Sequence, residues 1–478
     1  MFFRQIADRK LAQYAYLLGC QETGEAIIID PQRDIGRYVT IAEEAGLHIV
    51  AAADTHIHAD YLSGLRQMAT QYDVKIYASD EGGIDWRYQW LLGSKIDYQL
   101  LKNGDSFRIG SIGFETVHTP GHSPEHLSFA VTDYGSGAQL PMGILSGDFL
   151  LVGDVGRPDL LETAAGEIDT MESSARELFR SLKKVKNWPA NTMLWPGHGA
   201  GSACGRSQSA VPISTIGYEL TYNQSLILAS NEEEFVSDIL DGQQEPPYYF
   251  ERMKRENRSG PSILHYMTEP KKLSAEHLCE LISSQSVLLL DTRSWYEYKA
   301  SHIEGSLFTP LNRAFTTIAG SYVPEGKSIC LLVNSADLNE AILDLVRIGL
   351  DDIIGYVTPD IIEEYQHCGG RICPTEEIDV VELSKRIGES EKYILDVRRA
   401  SELREIGKIA GAINVSHTRL LPDNSHIPRD KEVYVYCRSG NRSTYACGFL
   451  ESVGVKVVHV ASGITAWIGS GYQVDFDK

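Results

Sequence analysis

Four short loops constrain the fold of this chain most, because each carries histidine or aspartate and follows an apolar run of strand length. In chain order they read T-H-I-H-A-D-Y (55–61), H-T-P-G-H-S (118–123), L-S-G-D-F-L (145–150) and W-P-G-H-G (195–199). Functional groups are disproportionately found on loops held by a rigid scaffold, where residues distant in sequence converge. The sequence therefore predicts a metal site assembled from separate loops of an α/β domain.

The surrounding sequence supports an α/β domain. A-I-I-I-D (26–30) and H-I-V-A-A-A-D (48–54) predict buried strands, and a helical pattern lies between them. After the fourth loop the sequence becomes polar and helical. The Pro-Pro pair, the charge run and the Ser-Gly-Pro of residues 243–261 predict a linker. We therefore expect a first domain over residues 1–258.

The second half of the chain contains a diverged internal repeat. L-L-L-D-T-R ends an apolar run at Asp291, and Y-I-L-D-V-R ends another at Asp396. The glycines of H-I-E-G-S and K-I-A-G-A, and those of V-R-I-G-L and E-S-V-G-V, follow at nearly the same offset. We expect two domains of about 100–110 residues, over 259–374 and 375–478, joined near R-I-C-P-T (371–375).

Composition excludes several classes of partner. A net charge of −21 argues against nucleic acid, whose phosphates need clustered lysine and arginine. No apolar run approaches the roughly 18 residues of a membrane helix, and the opening residues do not form a secretory signal. The eight cysteines are scattered rather than arranged as a disulfide framework. We therefore expect a cytoplasmic protein with no nucleic-acid and no membrane partner.

The order of the four loops resembles that of the metallo-β-lactamase fold, in which an H-x-H-x-D-H motif and later His, Asp and His loops hold two metals. The resemblance implies an αββα sandwich over the first ~250 residues. Its first metal would be lined by His56, His58 and His122, with Asp148 between the two metals. Asp60 and His198 would belong to the second. Tyr61 stands where the motif has its last histidine, which weakens the second site specifically.

Two imidazoles and one carboxylate with open positions opposite form the donor set of non-haem Fe(II) oxygenases. The persulfide dioxygenase branch of the fold uses the positions of His56, His122 and Asp148, which implies one Fe(II) per chain. The remaining groups would orient ligands and bind water; they are His58, Asp60, Tyr61 and His198. A zinc hydrolase of the glyoxalase II type, acting on a thioester, is the alternative.

Three further features of this region can each be interpreted in two ways. His118 and His126 are expected to be solvated or packing residues rather than ligands. D-V-G-R-P-D (154–159) resembles a stretch of the dioxygenase and glyoxalase branches, or it forms an ordinary turn. Cys204, in the Gly-rich stretch after His198, either relays sulfur or is a small buried residue.

The second strong motif is V-Y-V-Y-C-R-S-G-N-R-S-T (433–444), in which Cys437 ends a β-run and a helix follows. Backbone N–H groups, the helix N-terminus and two arginines create positive potential around the sulfur and favour a reactive thiolate or persulfide. Cys437 and Arg442 are therefore the expected catalytic residues. The groups expected to bind an anion such as sulfite or thiosulfate are Arg438, Ser439, Gly440, Asn441 and Ser443.

This loop resembles that of the rhodanese sulfurtransferases. Four residues separate Cys437 from Arg442, whereas protein tyrosine phosphatases have five in a wider loop sized for phosphate. Asp396, Arg398 and Trp467 also fit the rhodanese pattern, as structural supports.

The first copy breaks the rhodanese pattern. Its matching loop, L-L-V-N-S-A-D-L-N-E-A (331–341), has neither cysteine nor arginine, and Asp337 and Glu340 would repel sulfite. Cys330 lies before the loop and is expected to be buried. We expect an inactive rhodanese-like domain that serves as a spacer or an oligomer contact, in a homo-oligomer (dimer or tetramer).

The full chain resembles the fusion proteins that join a metallo-β-lactamase fold to an inactive and an active rhodanese domain. That resemblance implies oxidation of a small-molecule persulfide by O₂ to sulfite, coupled to sulfur transfer through a Cys437 persulfide that forms or uses thiosulfate, in sulfide detoxification. The carrier thiol could be glutathione, coenzyme A or another small thiol. The alternatives are a glyoxalase II-like zinc thioester hydrolase fused to a thiosulfate sulfurtransferase, and a non-catalytic sulfide sensor or sulfur-relay scaffold.

Overall fold

A computed structural model describes residues 1–164, 166–206, 208–243, 245–264, 270–389, 392–421 and 427–476. The chain divides into two compact units. Unit 1 comprises Met1–Tyr266 together with Val346–Gly349, and unit 2 comprises Met267–Leu345 and Leu350–Lys478.

Unit 1 begins with a six-stranded sheet whose strands lie in sequence order. The strands are β1 (Phe2–Asp8), β2 (Gln13–Gly19), β3 (Glu25–Ile29), β4 (His48–Ala53), β5 (Lys75–Ser79) and β6 (Tyr98–Leu101). The first three pair antiparallel, and β3 to β6 pair parallel. Residues 26–29 of β3 and 51–53 of β4 are buried, and since successive side chains of a strand point to opposite faces, both faces of the sheet are covered there.

A second six-stranded sheet has the order β14-β13-β10-β9-β8-β7. Its strands are β7 (Ser106–Ile109), β8 (Ile112–His118), β9 (Leu127–Asp133), β10 (Gly143–Gly147), β13 (Met193–Pro196) and β14 (Ser214–Thr215). A separate hairpin is formed by β11 (Leu150–Leu151) and β12 (Asp154–Val155). Only β10 and β13 pair parallel within this sheet, so their carboxyl ends lie side by side.

Helices cover the outer face of each sheet of unit 1. They are α1 (Gly36–Glu44), α2 (Leu65–Tyr72), α3 (Leu160–Thr163), α4 (Met171–Val185), α5 (Ile216–Tyr222), α6 (Gln224–Leu228), α7 (Glu232–Leu240) and α8 (Phe250–Ser259). One apolar core fills the space between the sheets, and two others lie between a sheet and its helices. The predicted αββα sandwich is therefore confirmed.

The predicted linker over residues 243–261 is wrong for most of its length, although Gln244 lies outside the described residues. Residues 250–259 form α8, and Phe250, Met253 and Asn257 on this helix are buried. The charge run misled the prediction because its basic and acidic side chains are interspersed with the apolar residues of an amphipathic helix. The Pro-Pro pair comes before this helix and does not interrupt it.

Unit 2 contains two five-stranded sheets with the orders β15-β20-β19-β16-β18 and β22-β26-β25-β23-β24, and every pairing within them is parallel. The first copy supplies β15 (Lys271–Lys272), β16 (Val287–Asp291), β18 (Leu307–Phe308), β19 (Ser328–Leu332) and β20 (Ile353–Val357). The second supplies β22 (Glu376–Ile378), β23 (Tyr393–Asp396), β24 (Ile413–Asn414), β25 (Val433–Tyr436) and β26 (Val457–Val460). The predicted parallel sheets are confirmed, and Asp291 and Asp396 end equivalent strands.

Helices connect these strands. They are α9 (Ala275–Ser283), α10 (Trp295–Ala300), α11 (Phe315–Tyr322), α12 (Leu338–Arg347), α13 (Ile361–His367), α14 (Val380–Glu389), α15 (Ala400–Ile406), α16 (Asn441–Ser452) and α17 (Gly463–Gly469). Two further short strands, β17 (His302–Ile303) and β21 (Ile372–Cys373), pair antiparallel. Over the described part of the chain, no helix has the length and apolarity needed to cross a membrane.

Candidate metal centre and sulfur-carrying loop

Three residues predicted as metal ligands come together in unit 1. His56 follows β4, His122 lies between β8 and β9, and Asp148 directly follows β10. Nε2 of His122 lies 3.6 Å from Oδ2 of Asp148, and Nε2 of His56 lies 3.8 Å from the same oxygen. One ligand atom from each residue falls within 4.8 Å of the others, and all three side chains are buried.

This cluster contains polar atoms that the protein does not satisfy. Nε2 of His122 and Oδ2 of Asp148 are buried and have no hydrogen-bond partner among the described residues. Buried polar atoms are nearly always paired in folded proteins, so unpaired ones that converge need another partner. Two histidine nitrogens and one carboxylate oxygen suit a first-row divalent cation, so the residues present fit a metal ion.

The two histidines are held by hydrogen bonds that leave Nε2 free. Nδ1 of His56 lies 2.9 Å from Oγ1 of Thr55, whose N–H and hydroxyl both donate to the carboxylate of Asp30. Nδ1 of His122 donates to the carbonyl oxygen of Arg157 over 2.9 Å. Such outer contacts fix the ring orientation of a metal-binding histidine.

Backbone contacts bring the loops this close. A Cβ on Gly156 would lie 1.7 Å from the carbonyl oxygen of Asp148, and one on Gly121 would lie 2.4 Å from the Cα of Leu178 in α4. Gly121 also has φ +137°, which a residue with a side chain rarely adopts. The glycines of these loops are therefore required by close approach of the backbone.

The charges in the cluster match a cation site. Burial, together with the neighbouring histidines, lowers the pKa of His56 well below its ordinary value. Burial likewise lowers the pKa of His122 to about 4. Burial alone would raise the pKa of Asp148, but His198 and the other histidines hold it well below its ordinary value. Two neutral imidazoles therefore face an ionised carboxylate.

His198 lies between two carboxylates. Its Nδ1 is 2.6 Å from Oδ1 of Asp148, and its Nε2 is 2.8 Å from Oδ2 of Asp60. Burial would lower the pKa of His198, but Asp148 and Asp60 together raise it well above its ordinary value. His198 thus binds Oδ1 of Asp148, whereas His56 and His122 approach Oδ2.

Tyr61 is buried and does not point into the cluster. Its hydroxyl donates to the carbonyl oxygen of Asp30 over 3.2 Å and accepts from the side-chain amide of Gln13 over 3.2 Å. Its ring stacks on that of His58, with centroids 4.4 Å apart. Nε2 of His58 lies 3.2 Å from Oδ1 of Asp30, while its buried Nδ1 has no partner among the described residues.

Cys204 belongs to a second group of candidate ligands. Ligand atoms of Asp60, His198 and Cys204 lie within 4.8 Å of one another. Cys204 is buried, and burial, with Asp148 and Asp60, raises the pKa of its thiol well above the ordinary value. Its carbonyl oxygen accepts from the N–H of Arg157 over 3.1 Å, which ties the Cys204 loop to the His122 contact.

The neighbouring histidines have packing roles. His126 is buried, its Nε2 accepts from the backbone N–H of Asp148 over 3.1 Å, and its Nδ1 lies 2.9 Å from Oγ1 of Thr119. His118 is half-buried, and its Nε2 donates to the carbonyl oxygen of Pro124 over 2.8 Å. His126 is thus a packing residue, as expected, and it also supports the backbone of a proposed ligand.

Sequence reasoning missed Lys254, because it lies on α8, within the predicted linker. Lys254 is buried, and its Nζ has no hydrogen-bond partner among the described residues. Nζ lies 5.2 Å from the centre of the Trp86 ring. Burial lowers the pKa of Lys254, an effect opposed by Glu125, and its charge contributes to the lowered pKa of both His56 and His122. A buried ammonium without a partner near the cluster is suited to an anionic ligand.

The Cys437 loop lies in the second copy of unit 2, between β25 and α16. Cys437 is buried, and its Sγ accepts from the N–H of Gly440 over 3.2 Å and from the hydroxyl of Ser443 over 3.4 Å. Gly440 has φ +95° and directly precedes the helix. The sulfur therefore lies at the helix N-terminus, as predicted.

The arginines and polar groups of this loop differ in how far they are exposed to solvent. Arg442 is half-buried, and its guanidinium donates two hydrogen bonds to Glu402, one of them over 2.8 Å. Sequence reasoning did not find Glu402, which lies on α15. Arg438, Ser439 and Asn441 are exposed at the mouth of the loop. These three groups are therefore accessible from solvent.

The predicted structural supports of the second copy are buried. Arg398 donates to both oxygens of Asp396 and to the carbonyl oxygen of Gly407 over 2.6 Å. Nε1 of Trp467 donates to the carbonyl oxygen of Gln473 over 2.8 Å. In the first copy Cys330 is fully buried on β19, as expected, and burial raises its pKa to about 12.

Comparisons with known proteins fit this division of sites. The model of the metallo-beta-lactamase superfamily matches residues 8–198, and that of the rhodanese-like domain matches residues 274–352 and 379–470. A mitochondrial persulfide dioxygenase of Bos taurus, ETHE1, is 28% identical over 245 residues, which cover 50% of this chain and 82% of that protein.

A more distant relative matches part of the chain, and one solved structure matches a stretch longer than unit 1. A probable hydroxyacylglutathione hydrolase of Schizosaccharomyces pombe is 28% identical over 192 residues, covering 39% of this chain and 63% of that protein. The crystal structure of a metallo-beta-lactamase from Staphylococcus aureus is 38% identical to this chain, with a TM-score of 0.67. It covers 75% of this chain and 99% of its own.

Proposed function

Since the chain belongs to the metallo-beta-lactamase superfamily and carries rhodanese-like domains after that fold, we propose that it oxidises a low-molecular-weight thiol persulfide to sulfite and transfers sulfane sulfur through Cys437. The observation that carries this proposal is the convergence of unpartnered Nε2 of His122 and Oδ2 of Asp148 beside His56. The similarity to persulfide dioxygenases supports it.

One Fe(II) per chain would be held by His56, His122 and Asp148. When bound, iron would bring the persulfide sulfur and O₂ together and allow the electron transfer between them. Conversion of the outer persulfide sulfur to sulfite consumes one O₂ and one water and releases the carrier thiol. The hydrogen bonds of His56 to the hydroxyl of Thr55 and of His122 to the carbonyl oxygen of Arg157 would hold the histidine rings in one orientation during this reaction.

Lys254 would recognise the negative charge of the persulfide or of the sulfite product. Its ammonium is buried near His56 and His122 and has no hydrogen-bond partner among the described residues. A charge-assisted hydrogen bond to an anion would satisfy it. The carrier thiol could be glutathione, coenzyme A or another small thiol.

The Cys437 loop would use the product of the first site. A persulfide on Cys437 can pass its outer sulfur to sulfite, which yields thiosulfate and the Cys437 thiolate, and the same step can run in reverse. Gly440 and Ser443 donate to the sulfur, while Arg438, Ser439, Asn441 and Arg442 would bind the anion. Cys204 could carry sulfur near the metal site. The whole reaction would serve sulfide detoxification.

The proposal also covers the domain boundaries, the cell compartment and the oligomeric state of the protein. We assign residues 1–258 to the dioxygenase domain, 259–374 to an inactive rhodanese-like domain and 375–478 to the active sulfurtransferase domain. All eight cysteines are free, which suits a reducing cytoplasm. A homo-oligomer, dimer or tetramer, is part of the proposal.

A second candidate is a glyoxalase II-like zinc thioester hydrolase fused to a thiosulfate sulfurtransferase. The group formed by Asp60, His198 and Cys204 favours it, because these residues could hold a second ion beside the first. The similarity to a hydroxyacylglutathione hydrolase also favours it. Against it, Tyr61 occupies the place of a further metal-binding histidine.

Two assays separate these functions. Anaerobically purified protein reconstituted with Fe(II) should consume O₂ when given glutathione persulfide or coenzyme A persulfide and should release sulfite. No O₂ uptake, together with zinc-dependent cleavage of S-lactoylglutathione, would establish the second candidate instead. Replacing Cys437 by Ser should leave O₂ uptake largely intact and abolish thiosulfate:cyanide sulfurtransfer, because the sites are held by different units.

A further inference from the structure

A buried histidine lies behind the Cys437 loop and takes no part in the function described so far. His459, on β26, is 2% exposed. Its Nε2 lies 2.9 Å from Oγ of Ser443 and 3.1 Å from the carbonyl oxygen of Gly440. Because Ser443 also contacts the sulfur of Cys437, His459 is connected to the reactive atom through one hydroxyl.

The other ring nitrogen of His459 is fixed by a carboxylate. Nδ1 lies 2.9 Å from Oε2 of Glu377, on β22. Hydrogen bonds with His459, Lys299 and Trp295 hold the pKa of Glu377 well below its ordinary value, although burial acts in the opposite direction. An ionised Glu377 accepts only, so Nδ1 of His459 carries a proton. Nε2 can exchange another proton with Ser443 and, when protonated, donates to the carbonyl oxygen of Gly440.

The first rhodanese-like copy holds this carboxylate in place. Nε1 of Trp295 donates to Oε2 of Glu377 over 2.9 Å, and Nζ of Lys299 pairs with Oε1. Both residues lie on α10. The Trp295 ring also packs against the His459 ring, with centroids 5.1 Å apart and planes at 72°. The copy that has no cysteine in its loop therefore contacts both members of the pair behind the reactive sulfur.

We propose that Glu377, His459 and Ser443 form a proton relay to Cys437, and that the first rhodanese-like copy completes the relay through Trp295 and Lys299. This inference rests on the proposed sulfurtransfer at Cys437. It gives the inactive copy a task that its own loop cannot perform, namely to position a base for the active copy.

The relay transfers protons only, so no bond between heavy atoms is formed or broken and no oxidant is needed. With Cys437 as a thiol, Sγ–H donates to Oγ of Ser443, and the Ser443 hydroxyl donates to Nε2 of neutral His459. Shifting both protons by one place leaves a Cys437 thiolate and an imidazolium that faces ionised Glu377. The Ser443 hydroxyl then donates to the thiolate, which matches the geometry in the structure.

The charged and titratable groups around His459 fit this scheme. Glu377, on β22, contacts His459 directly, and Lys299, on α10, pairs with Glu377. Ser443, on α16, lies between His459 and Cys437. Glu377 would stabilise the imidazolium, and Lys299 would keep Glu377 from taking the proton itself. His459 and Glu377 are therefore positioning residues, since they act on the sulfur through Ser443.

The pH dependence of Cys437 alkylation tests the relay in the full chain. The rate of carbamidomethylation by iodoacetamide would be followed at Cys437 by peptide mass spectrometry, which separates it from the other cysteines. His459→Gln should lower this rate at pH 7 by about tenfold or more and displace the rate profile to higher pH. Trp295→Phe and Lys299→Met should displace it in the same direction by less. Tyr296→Phe, an exposed change on the same helix, is the matched control and should leave it unchanged.

The outcomes distinguish the relay from the function on which it rests. Overlapping profiles for wild type and His459→Gln would overturn the relay and make His459 a packing residue. If His459→Gln does not fold by circular dichroism, overlapping profiles for wild type and Lys299→Met would overturn the relay in the same way. Alkylation needs no sulfur donor, so a displaced profile in protein without thiosulfate:cyanide sulfurtransfer would contradict the proposed function and leave the relay standing.

Discussion

Oδ1 of Asp148 and Nδ1 of His198 lie 2.6 Å apart, so that one oxygen of this carboxylate is bound by a histidine while the other faces His56 and His122. The two oxygens thus have different surroundings on the same side chain. Oδ1 is satisfied within the protein, whereas Oδ2 is buried without a partner among the described residues. This asymmetry separates the residues that would bind a metal from those that would hold its ligands in place.

The asymmetry predicts that mutations of the two kinds of residue weaken metal binding to different extents. His122→Ala should abolish stable metal binding, because it removes one of the three proposed donors. His198→Ala should weaken metal affinity by roughly 10–100-fold, because it removes only the group that orients Asp148. Metal content after dialysis against a graded chelator series measures both. His48→Ala, at an exposed position that begins β4, is the control. Equal losses for His122→Ala and His198→Ala would contradict the assignment.

Tyr61 is predicted to limit the site to one metal. Its ring stacks on His58 and its hydroxyl is bound by Gln13 and the carbonyl oxygen of Asp30, so it offers no atom to the cluster. Tyr61→His should raise the zinc content measured by elemental analysis from one ion per chain towards two. Tyr61→Phe is the matched control and should stay at one. An unchanged zinc content in Tyr61→His would show that this residue does not decide the stoichiometry.

Lys254 is predicted to contribute to substrate binding rather than to metal binding. Lys254→Met keeps most of the length of this buried, unbranched side chain but removes the ammonium that has no hydrogen-bond partner among the described residues. Hydrogen bonds to charged groups contribute about 1.5–3 kcal/mol, so KM for the persulfide should rise by roughly 10–100-fold while the metal content stays constant. Lys102→Met, at an exposed lysine, is the control. An unchanged KM, measured by initial rates of O₂ uptake, would remove Lys254 from the site.

Glu451 is predicted to make the stability of unit 2 depend on pH. Burial raises its pKa to about 8, opposed by hydrogen bonds that include one from Thr375. Its folded pKa is above the unfolded value, so the folded state binds the extra proton, and stability falls as pH rises from about 4.5 to about 8. Glu451→Gln should therefore raise the urea midpoint of unit 2 at pH 9 and leave it nearly unchanged at pH 4.

An exposed carboxyl is the control for Glu451. Glu304, which is half exposed and pairs with Arg371, is changed to Gln and should alter the pH profile little. A midpoint at pH 9 that is the same for Glu451→Gln and wild type would show that burial of Glu451 carries no cost in the folded protein.

The parts of the site that follow strands were predictable from the sequence. His56, His122 and Asp148 each lie within four residues of the end of a strand that the sequence predicts, and loops at the ends of neighbouring strands converge. The same reasoning located Cys437, because a β-run ends there and a helix begins within four residues. Tyr61 was recognised as a replaced histidine only through the resemblance to the H-x-H-x-D-H motif.

The groups that hold these residues were not predictable, because their contacts span long separations in sequence. Asp30 supports His56 through Thr55 and resembles any aspartate that ends a strand. Glu377 reaches His459 across 82 residues, and Glu402 reaches Arg442 across 40. Lys254 was missed for a different reason, because its helix was interpreted as a linker from its charge and prolines.

The metal content of the protein as purified from cells without added metal tests the central claim most directly. The account predicts about one iron per chain by elemental analysis, since two histidines and one carboxylate form the donor set of mononuclear iron oxygenases. That iron should be lost in His122→Ala. Two zinc ions per chain with no iron would contradict the account and would make unit 1 a binuclear hydrolase.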